Sequence, residues 1–329
     1  MRVLSGDVGG TKTLLALYEG EDATSLRETR RERYENASRD GLAPILADFV
    51  RTGERLDAAV LGVAGPVSDD VCNATNLPWV IDARELAAQL SIPRTALIND
   101  FEAVALGLDE LSADSLVVLQ DRRLEPMAPR AVLGAGTGLG EAIIVPTGQT
   151  LPRVLSSEGG HVDFAPRDDA EIDLLRFARE RFTRVSVERI VSGPGLALVY
   201  DHVVASGAAA PSPAVEAAAP GEDRSAVIGR AGLDPKDRAA HLALERFVSM
   251  YGAEAGNFAL KCLPFGGLYV AGGIAPKIIA ALETGGFVAA FRAKGRMESL
   301  LDRIRVSVVM DPAVGLLGAR RKAVALLRG

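Results

Sequence analysis

The chain has 329 residues, of which 43 are acidic, 37 are basic and 34 are glycine. Hydrophobic residues make up 48% and charged residues 24%, a composition that excludes bulk disorder, and the absence of a Gly-X-Y period excludes collagen. The net charge of −6 argues against a protein that coats nucleic acid or anionic lipid. The length predicts about two domains.

The cysteine count and the lengths of the apolar runs indicate in which cellular compartment the protein is expected. Cys72 and Cys262 are too few for a disulfide framework or a cysteine-rich zinc site. The first ten residues contain no apolar stretch of the kind that a signal peptide needs, and no apolar run reaches about 18 residues. We therefore expect a cytoplasmic protein without a membrane span and without zinc.

The first third of the chain predicts three strands followed by alternating helices and strands. The three strands are expected at Arg2–Gly6, Thr13–Tyr18 and Ser25–Arg33, and the third, in which Arg alternates with Glu and Thr, is expected to face solvent. The elements expected next are a helix at Gly41–Val50, a buried strand at Ala58–Val63, a helix at Ala83–Leu90 begun by a capping box at Asp82, a strand at Thr95–Ile98 and a helix from Phe101.

The same order of elements begins again near residue 115, so we expect a duplicated unit. Its three strands are expected at Leu116–Gln120, Arg130–Leu133 and Glu141–Val145. The elements expected after them are helices at Ala170–Phe182, Gly195–Val204 and Lys236–Leu263, a strand at Gly267–Ala271, a helix near Pro276–Leu282, a strand at Ile304–Met310 and a helix at Gly315–Leu327. A duplication of this kind predicts a nucleotide site in a cleft between two lobes. The Ala- and Pro-rich segment 206–224 is expected to be a surface excursion.

A glycine-containing segment that suits phosphate binding lies between the first two strands. It consists of Asp7, Val8, Gly9, Gly10, Thr11 and Lys12. The glycines allow backbone N–H groups to face a phosphate, the Thr adds a hydroxyl donor, the Lys adds a charge, and the Asp is a candidate for ordering Mg²⁺ through its waters. A plain two-glycine hairpin turn is the alternative interpretation.

Two later glycine segments are also candidates. Thr137 and Gly138 lie in Gly134–Gly140, which precedes a strand and lacks the third glycine of a dinucleotide fingerprint, so a nicotinamide site is disfavoured. Gly272 and Gly273 follow a strand and open a helix, which suits a turn beneath a nucleotide and equally suits any tight loop.

Four polar side chains and one helix-end charge are candidates for chemistry. Asn99 and Asp100 lie where a strand ends and a helix begins, a place for a helix cap or for a carboxylate that accepts a proton from a substrate hydroxyl. Glu158 and His161 flank two glycines, which suits hydrogen bonds to adjacent sugar hydroxyls or an ordinary surface loop. Glu188 precedes a predicted helix and by itself indicates only an exposed charge.

Six motifs in this order resemble those of bacterial glucokinases, within the hexokinase-like superfamily: DVGGTKT, LINDFEAVA, LGAGTGLG, SSEGGH, VERIVSG and VAGGIAPK. The resemblance spans almost the whole chain. It implies a two-lobed α/β fold of the actin/hexokinase-like, ribonuclease H-like type with duplicated βββαβαβα units. It also implies a small lobe formed by residues 1–110 and 305–329 and a large lobe formed by residues 111–304, because the last helix returns to the first lobe.

The resemblance also assigns roles to the candidate residues. It implies that Asp100 is the catalytic base and contacts the sugar, and that the other glucose-binding side chains are Asn99, Glu158, His161 and Glu188. It implies further that the phosphate loops are Gly9–Thr11 with Lys12, and Thr137–Gly138, and that the adenosine motif is Gly272–Gly273. The implied substrates are D-glucose and ATP with its Mg²⁺, and a homodimer is expected. A zinc-free group is indicated because sugar kinases of the related ROK family carry a cysteine cluster beside the histidine motif, whereas this chain has no cysteine between Cys72 and Cys262.

Several alternatives stay open at this point. The chain can be a kinase for mannose, fructose or an amino sugar, and ADP or polyphosphate can replace ATP as the donor. A sugar-sensing regulator without catalysis is a second class, although the first strand is expected to begin at residue 2, which leaves no place before it for a DNA-binding helix-turn-helix. An actin-like nucleotide switch is a third class, but it gives no reason for Asn99, Asp100, Glu158 and His161 to occur together.

Overall fold

A computed structural model describes residues 1–74, 77–219 and 221–328. The chain divides into two compact units. The first comprises Met1–Ala113, Ile144–Ser156 and Asp311–Gly329, and the second comprises Asp114–Ile143 and Ser157–Met310. Parts of the expected lobes and of the expected excursion lie outside the described residues, namely Thr75, Asn76, Pro220 and Gly329.

The first part of the chain forms the strands and helices that the sequence predicts, together with short strands that it does not. The elements are β1 (Arg2–Val8), β2 (Lys12–Glu19), β3 (Arg27–Glu35), α1 (Leu42–Phe49), β4 (Ala58–Val63), β5 (Val67–Ser68), β6 (Val71–Asn73), β7 (Val80–Asp82), α2 (Ala83–Leu90), β8 (Thr95–Asn99) and α3 (Asp100–Gly107). Strands β5 to β7 form a small sheet of their own. They are two or three residues long, which is too short for an alternating pattern to be recognised.

The main sheet of the first unit has the strand order β3-β2-β1-β4-β8. Strands β1, β2 and β3 pair antiparallel, whereas β4 pairs parallel with both β1 and β8. All six residues of β4 are buried, as expected for a parallel strand covered on both faces. Strand β3 lies at the edge and is largely exposed, and its charges pair locally, with Arg31 2.5 Å from Glu28 and Arg33 2.7 Å from Glu35.

The remaining elements follow in chain order. They are β9 (Leu116–Gln120), β10 (Arg130–Ala135), β11 (Leu139–Val145), β12 (Arg153–Ser157), α4 (Asp169–Arg179), α5 (Gly193–Ala205), α6 (Pro213–Glu216), α7 (Arg224–Ala231), α8 (Arg238–Cys262), β13 (Leu268–Ala271), α9 (Ile279–Leu282), α10 (Gly286–Arg292), α11 (Glu298–Leu301), β14 (Val306–Val309) and α12 (Val314–Arg328). In the described ranges, no helix has both the length and the apolar character that a membrane span requires.

The second large sheet repeats the strand order of the first. Its order is β12-β11-β10-β13-β14-β9, and the first five strands correspond one to one with β3-β2-β1-β4-β8. In both sheets the first strand of the unit pairs parallel with the strand that follows an intervening helical segment. The duplicated α/β unit predicted from the sequence is therefore confirmed.

The expected start of the second copy of the duplicated strand order is wrong by one strand. Leu116–Gln120 is not the first strand of the repeat, because it lies at the far edge and pairs antiparallel with β14. The buried side chain of Gln120 holds it there by donating hydrogen bonds to the carbonyls of Leu301 and Ile304, at 3.0 and 2.7 Å. The third strand of the repeat is β12, whose alternation of exposed and half-buried residues is weak in the sequence.

The Ala- and Pro-rich segment is attached to the core of the second unit, although most of its described residues are exposed or half-buried. The backbone N–H of Ser212 donates to the Tyr200 hydroxyl at 2.8 Å, and the Ser212 hydroxyl bonds to Asp237. Val215, in α6, is buried in the same core. A short helix therefore interrupts the expected surface excursion and fixes it to α5 and α8.

The last helix packs closely on α3 within the first unit. A Cβ at Gly318 of α12 would lie 1.7 Å from the Ala103 carbonyl oxygen, and a Cβ at Gly107 of α3 would lie 2.0 Å from the Val314 carbonyl oxygen. The two helices therefore approach along surfaces that only glycine permits. This contact supports the helix whose first residue is Asp100.

Candidate active site

The hairpin between β1 and β2 contains the first candidate phosphate loop. Val8 pairs with Thr13, and the N–H of Gly9 donates to the Lys12 carbonyl at 3.0 Å, so the chain reverses through Gly10 and Thr11. Thr11 and Lys12 are exposed at the tip. The two-glycine turn is therefore present, and its donors and charge are accessible to a phosphate.

Asn36 braces this hairpin, a residue that sequence analysis did not identify. Its side chain donates to the Gly9 carbonyl at 2.8 Å and accepts from the Thr13 hydroxyl at 2.8 Å, and its backbone N–H donates to the Thr11 carbonyl at 2.9 Å. Asn36 is buried. No local sequence signal marks it, because its partners lie more than 20 positions earlier in the chain.

Asp7 is the penultimate residue of β1 and lies beside the start of α12. Burial raises the pKa of its carboxyl, and the charge of Lys12 partly opposes this rise. A Cβ at Gly315 would lie 3.7 Å from the Asp7 carboxyl group, so the absence of a side chain at residue 315 leaves room beside it. A hard oxygen ligand with little solvation of its own fits a hydrated Mg²⁺.

Asn99 and Asp100 occupy the junction of β8 and α3. Asn99 caps the helix, since its side-chain oxygen accepts from the N–H groups of Phe101 and Glu102, at 2.9 and 3.3 Å, and its amide donates to the Gly65 carbonyl at 3.1 Å. Asp100 is the first helical residue, and one of its carboxylate oxygens accepts from the Phe101 N–H at 2.9 Å. The helix N-terminus stabilises a negative charge at this position.

Asp7 and Asp100 stand at the same edge of the first unit's sheet. Asp7 and Ile98 both pair with Gly62 on the central strand β4, and the three strands run parallel. Adjacent strands are about 4.8 Å apart, so β1 and β8 are about 10 Å apart at this level. The sequence therefore brings the glycine hairpin and a carboxylate to one sheet edge.

The equivalent hairpin of the second unit joins β10 and β11. The N–H of Gly136 donates to the Gly138 carbonyl at 2.8 Å, and Thr137 is exposed at the tip. Glu188 supports the turn, because one of its carboxylate oxygens accepts from the Leu139 N–H at 2.9 Å. A Cβ at Gly138 would lie 2.4 Å from that oxygen, so a side chain there would displace the Glu188 carboxylate from its present position.

Glu158 caps the start of one turn of 3₁₀ helix that follows β12, and His161 is the last residue of that turn. His161 Nε2 lies 3.8 Å from a Glu158 oxygen, and His161 Nδ1 lies 3.9 Å from a Glu188 oxygen. The side chains of Glu158 and His161 are 71% and 55% exposed, so both can reach a ligand. The backbone N–H of Glu188 donates to the Gly160 carbonyl at 2.9 Å, which ties this loop to Glu188.

Gly272 follows β13 at a positive φ of 85° and packs on the neighbouring strand β10. A Cβ there would lie 2.6 Å from the Ala135 carbonyl oxygen, whereas a Cβ at Gly273 would meet no atom within 4 Å among the described residues. The hydroxyl of Tyr251, a residue that the sequence did not indicate, accepts a hydrogen bond from the Ala135 N–H at 2.9 Å. This buried residue of α8 therefore fixes the strand end that leads into the second hairpin.

The structure thus forms two groups of candidate residues, one in each unit. Glu158, His161, Glu188 and Gly138 lie together in the second unit, and Asp7, Gly9, Lys12, Asn99 and Asp100 share one sheet edge in the first. The other histidines make structural contacts: His202 packs against Phe177, and His241 bonds to the Gly232 carbonyl at 2.7 Å. Among the residues that the structure describes, no group of three or more His, Cys, Asp or Glu side chains is arranged to hold a metal ion.

A search of solved structures relates this arrangement to a known class. The chain is similar to a crystal structure of glucokinase from an Antarctic psychrotroph, with a TM-score of 0.81 and 29% sequence identity, over 100% of this chain and 99% of that one. The fold and the glycine hairpins of the repeated unit define a sugar kinase of the actin/hexokinase-like fold.

The sequence comparisons give the family. The sequence model of the glucokinase family matches residues 4–326. The chain is 41% identical to glucokinase of Nostoc punctiforme, over 96% of this chain and 97% of that protein, and 42% identical to glucokinase of Synechocystis, over 96% of each. The chain belongs to the glucokinase family, and it is an ATP-dependent hexose kinase that phosphorylates glucose.

Proposed function

We propose that the chain transfers the γ-phosphate of ATP to the 6-hydroxyl of D-glucose with Asp100 as the general base. The observation that carries the proposal is the position of Asp100. It is the first residue of α3, held by a capped helix end at the sheet edge that also bears the first phosphate hairpin. The helix N-terminus favours a negative charge on a carboxylate in this position, and the capped helix end orients it before substrate binds.

The transfer needs one proton movement and one exchange of bonds. Asp100 accepts the proton of the 6-hydroxyl as that oxygen forms a bond to the γ-phosphorus, and the bond from the phosphorus to the ADP oxygen breaks. Asn99, Glu158, His161 and Glu188 bind the other sugar hydroxyls. A site that is built to bond hydroxyls discriminates strongly against a sugar that lacks one, since its own polar groups are then left unpaired.

MgATP is the second substrate. The first hairpin presents backbone and hydroxyl donors to the phosphates from Gly9, Gly10 and Thr11, and Lys12 adds a positive charge. The hairpin of the second unit presents further backbone and hydroxyl donors from Thr137 and Gly138. Gly272 and Gly273 pass beneath the adenosine. Asp7, a buried carboxyl beside Lys12, would hold the Mg²⁺ of the nucleotide through water, and the ion would neutralise charge on the phosphates.

The organisation and setting of the protein extend the proposal. Residues 1–110 with 305–329 act as one lobe and residues 111–304 as the other, and the protein works as a homodimer. The resemblance to bacterial glucokinases supports both statements, and sedimentation velocity tests the second. Cys72 and Cys262 are both free, which is consistent with a reducing cytoplasm.

Replacing Asp100 by Asn tests the base. We expect D100N to lose most of kcat while it keeps most of its affinity for glucose, because the amide retains the shape of the side chain but cannot accept the proton. Glu102→Gln is the matched control, since Glu102 lies in the same helical turn and pairs with Lys322 at 3.5 Å. A D100N variant with kcat near that of the wild type contradicts the assignment.

A coupled assay over a panel of hexoses, each with ATP, ADP and polyphosphate, tests the substrates. We expect the highest kcat/KM with glucose and ATP. A higher kcat/KM with mannose, fructose or an amino sugar would assign the site to that sugar instead. Absence of turnover on every hexose would favour a sugar-sensing protein.

A further inference from the structure

A buried carboxyl group lies directly beneath the proposed sugar-binding loop. Glu141, on β11, is 1% exposed. A Cβ at Gly159 would lie 1.8 Å from Glu141 Oε2, so the bare backbone of Gly159 rests on this carboxyl. The Gly159 N–H donates to the Ser157 hydroxyl at 3.0 Å, which fixes the strand end that enters the loop. Glu141 therefore contacts Gly159, one of the two glycines between Glu158 and His161.

A second buried carboxyl faces Glu141 from α8. Glu254 is 3% exposed, and its Oε2 accepts from the Asn257 side chain at 3.0 Å. Within the described part of the chain, neither Glu141 Oε1 nor Glu254 Oε1 has a hydrogen-bond partner. Two buried carboxylates that each have one oxygen without a partner cannot both be charged at such a place without a large loss of solvation, so this pair holds a proton under mildly acidic conditions.

The surrounding groups only partly offset this cost. Burial and the charge of Glu254 raise the pKa of Glu141 to about 7, and the charge of Lys261 acts against them. Burial chiefly raises the pKa values of Tyr251 and Cys262 in α8, and the charge of Glu141 adds to the rise in both. Lys294 approaches Glu254 from the segment after α10, but its ammonium is bonded to the Asn257 side chain at 2.6 Å and to the Ala253 carbonyl at 2.9 Å. Glu141 thus titrates near neutrality.

We propose that Glu141 is a positioning residue whose neutral form supports the Glu158–His161 loop and whose ionised form displaces it, so that glucose affinity falls as the pH rises through neutrality. The inference rests on the proposed function, in which this loop binds the sugar. A newly charged carboxylate in a dry site draws in water or a donor. The backbone in contact with the carboxyl is that of Gly159, and the residues on either side of the buried Gly159–Gly160 pair, Glu158 and His161, are exposed and free to move with it.

The first test compares the KM for glucose between pH 5.5 and 8.5 in the wild type and in Glu141→Gln. Glutamine keeps the shape of the side chain but cannot ionise. We expect the wild-type KM to rise several-fold across this range, the E141Q KM to rise clearly less, and kcat to be similar in both at pH 6. Glu141→Ala should raise KM at every pH, since it removes the support itself. Glu180→Gln, an exposed glutamate at the end of α4, is the control.

The second test needs no substrate. The folded-state pKa of Glu141 is raised, so between about pH 4.5 and 7 the folded chain binds more protons than the unfolded chain, and stability falls as the pH rises through this window. E141Q lacks this loss. We therefore expect its Tm to exceed that of the wild type by a margin that grows from pH 5 to pH 8.

The outcomes separate the two proposals. If E141Q and the wild type share one profile of KM against pH while both phosphorylate glucose, the inference is overturned and the proposed function stands. A Tm difference that does not change with pH also overturns the inference, because Glu141 is then not the titrating group. If the wild type does not use glucose at all, the proposed function fails, and the inference fails with it.

Discussion

At the scale of single residues, the sequence indicates the groups that can contact a ligand but not the groups that hold them. Asp100, Glu158 and His161 stand in short motifs whose neighbours in the chain are also their neighbours in space. Asn36 and Tyr251 act on partners 27 and 116 positions away, at Gly9 and Ala135. A polar residue that braces a distant turn has the same local sequence context as one that faces water, so it could not be predicted.

Asn36→Ala tests whether the brace matters for ATP. The variant loses the side-chain hydrogen bonds to Gly9 and Thr13, which removes the internal support of the first phosphate hairpin. We expect the KM for ATP to rise several-fold with a smaller change in the KM for glucose, and the free energy of unfolding to fall by about 2 kcal/mol. Steady-state kinetics and urea unfolding measure the two effects.

The control for this variant is Asn73→Ala, since Asn73 is exposed at the end of β6. It should leave both KM values unchanged. An unchanged KM for ATP in Asn36→Ala would mean that the hairpin keeps its conformation without the brace, or that it does not contact the nucleotide.

At the scale of elements, the sequence predicted which helices and strands exist better than it predicted which strands pair with each other. Ala83–Leu90 and Leu116–Gln120 have the predicted bounds, because a cap and an apolar run are local signals. The place of Leu116–Gln120 in the sheet depends on β14, almost 190 positions later, and was predicted wrongly. The contact of α3 with α12 also joins distant segments, and the presence of Gly107 and Gly318 in the two helices did not by itself predict it.

Gly318→Ala tests that contact. A methyl group cannot occupy a point 1.7 Å from the Ala103 carbonyl oxygen, so the helices must move apart. We expect a loss of about 1–3 kcal/mol in the free energy of unfolding. A fall in kcat should accompany it, because Asp100 lies on the displaced helix. Thermal unfolding and the coupled assay measure these effects.

Gly229→Ala is the matched control, since a Cβ at this position in α7 would make only ordinary contacts, the nearest at 3.5 Å. Alanine there should leave kcat unchanged and should stabilise the helix slightly. If Gly318→Ala is as stable and as active as the wild type, the contact with α12 does not hold α3 and its Asp100 in place.

At the scale of the whole molecule, two copies of one strand order each carry a glycine hairpin in the same place. The hairpin of Gly9 and Gly10 joins the first two strands of one copy, and the hairpin of Gly136 to Gly138 joins those of the other. The sequence indicated this repetition because the order of elements and a Gly-Thr hairpin recur. It could not show that the second copy begins at β10, since the added edge strand β9 comes before it in the chain.

Stability in the presence of substrate is a property of the whole chain. A ligand that binds only the folded state stabilises it by about 2.7 kcal/mol at a concentration of 100 times its Kd. We expect glucose to raise the Tm of the wild type and of Asp100→Asn, which retains the sugar site. In Glu158→Gln the same glucose concentration should give a much smaller shift. Equal shifts in all three proteins would contradict the role of Glu158 in sugar binding.

The charged edge strand β3 has a consequence for how copies of the chain behave at high concentration. An exposed strand edge offers unpaired N–H and carbonyl groups to any other extended chain. Along β3, however, side chains of both signs are already paired with one another, as in Arg31 with Glu28 and Arg33 with Glu35. A second chain that docked there would have to desolvate these pairs, which opposes aggregation through this edge. The strand therefore favours solubility as well as completing the sheet.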